Sequence, residues 1–179
     1  LLVGFAFLFF YSIMGLFMGI LADTVNRPKL IAFGVTLWSL LTIASGSARG
    51  FVSLAIPRMF IGIGESILTP TSISSLADRI PSSRMGFAIS VYYLGIPIGA
   101  SLALLIAGYL GPSIGWRNCF YILGIIGIFF GLLMLFVKET PRKGVHLEGD
   151  KESMSLNERL TLLFRTLKNS PTLIYIIIA

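Results

Sequence analysis

Five runs of apolar residues, each about as long as the hydrocarbon core of a bilayer is thick, follow one another along this chain of 179 residues. A helix needs ~20 mostly apolar residues to cross that core. The runs cover residues 1–22, 30–48, 51–76, 85–110 and 118–137. Polar turns part them: "DTVNRPK", "SARG", "ADRIPSSR" and "GPSIGWR". In lipid every backbone N–H and C=O must be satisfied within the protein, so apolar runs of this length are helices. The expected fold is therefore all-α, a polytopic membrane bundle. Only 12% of the residues are charged, about half the share a water-soluble domain carries.

A polar segment covers residues 138–170, and Pro171 opens a sixth apolar stretch, with Ser170 as its cap. Within the segment, "KETPRKGVHLEGDKESM" has no periodicity, whereas "SLNERLTLLFRTLKN" (155–169) sets apolar residues at 156, 160, 163, 164 and 167. That spacing predicts an amphipathic helix, lying on the membrane surface or packed on the bundle. The organisation expected is membrane helices over 1–137, a central loop over 138–170 and the start of a further helix over 171–179. The chain opens at Leu1 and closes at Ala179 inside apolar runs, which reads as a segment of a longer protein.

The turns alternate between the two sides of the membrane. One set (23–29, 78–84 and 138–170) holds Arg27, Lys29, Arg79, Arg84, Lys138, Arg142, Lys143, Lys151, Arg159, Arg165 and Lys168, or 11 of the 14 basic residues. Basic loops stay in the cytoplasm, so these three are expected there. The same distribution accounts for the net charge of +6 as a topology signal and argues against a nucleic-acid partner. One His and one Cys leave no basis for a conventional His/Cys metal site, and no cofactor is implied.

The third run carries "RMFIGIGES", residues 58–66. Arg58 and Glu65 are seven residues apart, a helical rotation of about 700°, so both project from one face, ~10 Å apart along the axis. Charges at that depth belong in a protein interior or a water-filled cavity. Gly62 lies between them on the same face, and Ser66 and Thr69 continue it. Two readings follow. In the first, charges on other helices match the pair, which simply holds the bundle together. Alternatively, Arg58 attracts an anionic group and Glu65 exchanges a proton, since buried carboxyls with perturbed titration mark functional sites. "GIGES" superficially resembles a phosphate loop, but no strand precedes it and no Lys follows. Tyr92 and Tyr93 are further cavity-lining candidates, with packing as the plainer role. Gly95, Pro97 and Gly99 read as sites of helix bending and close packing.

The first turn, "GILADTVNRPK", resembles the signature loop of the major facilitator superfamily. Gly19, Leu21, Ala22, Asp23, Arg27 and Lys29 match it; Asn26 stands where a glycine is usual and Pro28 where a basic residue is usual. Arg58 with Gly62, "GWRNCF" (115–120) and "ETP" (139–141) are similar to further elements of that family. Within it, "RMFIGIGES" and "YYLGIPIGASLALLIAG" (92–108) resemble the Spinster-type lipid transporters. The resemblance implies a partial major facilitator bundle, helices two to six plus the central loop. It implies a secondary transporter working by alternating access, proton-coupled, that moves a lipid-like or organic anionic substrate such as a lysolipid. It also implies a gating loop of Gly19, Asp23, Arg27 and Lys29, with Asp23 and Arg27 in one charge network, and coupling through Arg58 and Glu65. Carriers of small organic acids or sugars share much of the motif set, and a non-transporting receptor or scaffold could use the same fold. A membrane-embedded enzyme would need a nucleophile, acid–base or metal cluster, and the sequence presents none.

Overall fold

A computed structural model describes residues 2–139, 141–142 and 156–169. Its described residues form seven helices: α1 (Leu2–Thr24), α2 (Arg27–Gly46), α3 (Phe51–Ser66), α4 (Leu68–Arg79), α5 (Ser82–Ile114), α6 (Trp116–Met134) and α7 (Leu156–Asn169). With α3 and α4 counted as one span, 5 segments are long and apolar enough to cross a membrane. The sixth apolar stretch anticipated from Pro171 lies outside the described residues.

Local chemistry explains where the helices start and stop. Asn26 caps α2, its side-chain oxygen accepting from the Lys29 N–H at 3.0 Å, with Pro28 in the first turn. The cap draws Arg27 into the helix, so α2 begins three residues before the expected position at Leu30. The expected continuous third span is interrupted at Ile67, between α3 and α4. Pro70 is the physical reason: it offers no N–H to the Ser66 carbonyl, and its ring crowds the preceding turn. Ile67 keeps right-handed helical angles, φ −70° and ψ −36°, so α4 continues the course of α3 across the break. Gly115 alone separates α5 from α6 and takes φ +81°, a conformation glycine tolerates readily.

Helix α2 sits at the centre, packed against α6 on one side and α3 on the other, while α1 lies against α3. Inside a bilayer there is little hydrophobic drive between helices, so association relies on close backbone approach at small residues. Gly34 of α2 and Gly64 of α3 mark one crossing. A Cβ on Gly34 would fall 2.9 Å from the Gly64 carbonyl oxygen, and one on Gly64 2.8 Å from the Gly34 oxygen. The hydroxyls of Ser39, Thr42 and Ser45 on α2 donate back to the carbonyls of Val35, Trp38 and Leu41 at 2.6, 2.8 and 2.9 Å. Their polarity is thus satisfied within their own helix.

A buried cluster of Ala22, Leu30 and Ile67 closes the end of the bundle that carries Arg27, called here the basic end. Large apolar side chains elsewhere face outward, among them Phe87, Leu104, Tyr109 and Phe136. Helix α7 lies against α1, with Leu160 half-buried and Leu162 exposed.

Candidate functional site

The interruption at Ile67 leaves Glu65 in the last turn of α3 and Arg58 two turns before it. Both open into one cavity of about 570 Å³ between α1, α2 and α3, whose other walls are Gly4, Phe7, Trp38, Thr42 and Ile61. No ion pair joins Arg58 to Glu65 among the described residues. The Arg58 guanidinium instead stands over the Phe120 ring of α6, 5.1 Å from its centroid. The half-buried Glu65 side chain faces the cavity. Across from it the Thr42 hydroxyl has already given its proton to the Trp38 carbonyl at 2.8 Å, so only its lone pairs remain for a ligand. The cavity thus joins a fixed cation, a carboxyl and a hydrogen-bond acceptor to aromatic and aliphatic walls.

Other residues expected at this site lie elsewhere. Gly62 packs against α1, and a Cβ there would come within 2.8 Å of the Phe7 carbonyl oxygen. It therefore brings two backbones together rather than leaving room for a ligand. Ser66 is buried, its hydroxyl donating to the Ile63 carbonyl at 2.8 Å. Thr69 is half-buried beyond the break and outside the cavity wall. Tyr92 lines a second cavity of about 350 Å³ at the basic end, among Pro28, Ser72, Arg79 and Val137. Tyr93 is exposed and meets Tyr92 edge-on, with centroids 5.3 Å apart. Sequence reasoning missed Phe7, Trp38, Thr42 and Phe120. Their helical spacing shows that Trp38 and Thr42 share a face of α2, but not what that face meets.

At the basic end, Arg27 and Asp23, expected in one charge network, are not joined to each other among the described residues. Arg27 is buried and its Nη1 donates to the Asp78 carboxylate at the end of α4. Asp23, on the last turn of α1, is exposed, because the helix turns it away from the interior that Arg27 enters. Lys29 is also exposed, and a Cβ on Gly19 would meet nothing. Glu139, beyond α6, accepts from the Asn26 side-chain amide at 2.6 Å and from the Arg27 backbone N–H at 3.4 Å. Arg142 donates to the Val25 carbonyl at 2.8 Å, and Arg79 to the Lys138 carbonyl at 2.9 Å. The α1–α2 turn, the end of α4 and the exit of α6 are thereby clamped together. The "ETP" resemblance pointed to Glu139 but not to the turn it holds.

Comparison with known proteins agrees with this architecture. The profile of the Major Facilitator Superfamily matches residues 1–179. The chain is 33% identical over 133 residues to the "Probable sphingolipid transporter spinster homolog 1" of Arabidopsis thaliana, covering 74% of this chain and 27% of that protein. It is 30% identical over 135 residues to the 3-(3-hydroxy-phenyl)propionate transporter of Escherichia coli (strain K12), covering 75% of this chain and 32% of that protein. It thus spans about a quarter to a third of the length of these curated relatives. Among solved structures, it resembles a bacterial homolog of the human lysosomal transporter Spinster in an inward-facing, occupied conformation. There the TM-score is 0.65 at 28% identity, over 83% of this chain and 38% of that one. With its membrane-length helices and a match along its whole length, this chain is an integral, multi-pass membrane protein that belongs to the Major Facilitator Superfamily.

Proposed function

We propose that this chain forms part of a secondary transporter working by alternating access, coupled to protons, whose substrate is an anionic amphiphile of the lysolipid class. The observation that carries this reading is the shared cavity of Arg58 and Glu65, where a cation and a carboxyl stand open and unjoined. Two charges that served only to hold the bundle would be expected to pair, because an unpaired charge away from water is costly. In this reading Arg58 takes the anionic head group and Glu65 takes and returns a proton. The Arg27–Asp78 pair, buttressed by Glu139, holds the basic end closed in one state and parts in the other. The basic loops face the cytoplasm. Likeness to a sphingolipid transporter of the Spinster group supports the lipid-like substrate.

The test uses the full-length protein in liposomes, measuring uptake of a labelled lysophospholipid with and without a pH gradient. The gradient should accelerate the wild type and leave Glu65→Gln unaffected. A Glu65→Gln protein that keeps the whole pH response sinks the coupling role. A second reading, transport of small organic acids, is favoured by the likeness to the 3-(3-hydroxy-phenyl)propionate transporter. Uptake of an aromatic acid without lysophospholipid uptake would select it.

A further inference from the structure

Arg58 and Glu65 lie ~10 Å apart along α3, within the combined reach of two extended side chains. Opposite charges that share one cavity attract each other, so an untethered Arg58 would swing toward Glu65. That pairing would occupy the cation that a substrate anion needs. The structure holds the guanidinium elsewhere, over the face of Phe120. Guanidinium groups are weakly hydrated and stack well on aromatic rings.

The Phe120 side chain is half-buried. It meets Trp116 edge-on, with centroids 5.8 Å apart at 90°. Its Cβ is so close to α2 that a side chain on Gly46 would come within 3.0 Å of it. On its other side the ring borders an apolar cavity of about 250 Å³ between α5 and α6, walled by Ala103, Ile106, Cys119 and Leu123. The contacts with Trp116 and α2 hold the ring beneath Arg58.

We propose that Phe120 is a positioning residue, whose ring parks the Arg58 guanidinium apart from Glu65 and so keeps it open to an anionic head group. This rests on the reading of Arg58 as the anion-binding group. Phe120 does not touch the ligand; it acts through Arg58. A neutral amphiphile in the same cavity gains nothing from it.

The experiment measures binding of decyl phosphate, and of uncharged monodecanoylglycerol, to the purified full-length protein. Phe120→Leu should weaken decyl phosphate about three- to fivefold, the scale of a cation–π contact at an exposed guanidinium, and leave monodecanoylglycerol unchanged. Phe120→Trp should bind decyl phosphate as the wild type does. Adding Glu65→Gln to Phe120→Leu should restore the lost affinity, because no carboxylate remains to capture the arginine; a purely structural role would show no such rescue. Phe120→Met, which fills a similar volume without a π face, replaces Phe120→Leu if the latter does not fold. Unchanged decyl phosphate affinity in Phe120→Leu or Phe120→Met, with affinity lost in Arg58→Ala, overturns the role of Phe120. So does a loss shared equally by the uncharged ligand, or one that Glu65→Gln does not restore. Wild-type affinity in Arg58→Ala overturns the anion-site reading itself, and the role of Phe120 with it.

Discussion

At the scale of single residues, burial decides which charges matter. Arg27 and Asp78 keep only 6% and 11% of their side-chain surface exposed, whereas Asp23 stands in the open. Removing one partner of a buried pair leaves the other charge uncompensated, at a cost of about 3–5 kcal/mol. Asp78→Ala should therefore lower the thermal unfolding midpoint of the full-length protein in detergent sharply. Replacing both partners, as Arg27→Leu with Asp78→Leu, should recover much of the loss, since apolar side chains of similar size often substitute for a buried pair at little cost. Asp23→Asn should barely move the midpoint, as befits an exposed site. A loss in Asp23→Asn equal to that in Asp78→Ala would put the wrong aspartate in the network.

At the scale of helices, contact between backbones holds the bundle, and glycines mark where it occurs. The α2–α3 crossing at Gly34 and Gly64 has no room for a methyl group. Gly34→Ala should destabilise the protein by about 1–3 kcal/mol, the usual cost of overpacking. Gly19→Ala, where the added carbon meets nothing, should be neutral or slightly stabilising, as alanine favours a helix over glycine. Thermal unfolding of the two variants side by side checks this. A Gly34→Ala protein as stable as Gly19→Ala would mean that the crossing is looser than the geometry states. The seven-residue spacing of Arg58 and Glu65 was legible as a shared face. The role of Gly62 was not, because one face of α3 looks the same in sequence whether it meets a ligand or the backbone of α1.

At the scale of the whole molecule, the turns at 24–27 and 79–82 and the exit of α6 gather at one end, while the turns after α2 and α5 lie at the other. If the basic end is cytoplasmic, a cysteine at the exposed Ser82 should react with a membrane-impermeant maleimide only from the cytoplasmic side. One at the exposed Arg49 should react only from the opposite side. These assignments are read in the full-length protein with Cys119, itself buried, replaced by serine. Labelling of both positions from the same side would break the alternation of spans.

The number of apolar spans, their order and the concentration of basic turns at one end followed from the sequence alone. The reason is that a bilayer acts on each segment locally: length and hydropathy decide what crosses, whatever the segment later meets. The superfamily motifs were legible for the same reason, being short and contiguous. Which residues met across space was decided only by packing. Arg27 found Asp78, 51 positions away, and Glu139 reached back to Asn26 from 113 positions away. Trp38 and Thr42 became walls of the Arg58–Glu65 cavity because the close approach at Gly34 and Gly64 draws α2 against α3. Tyr92 was carried to a separate cavity at the basic end, away from those charges. Helical periodicity determines the face on which a side chain projects, but only the crossing of helices determines its neighbour.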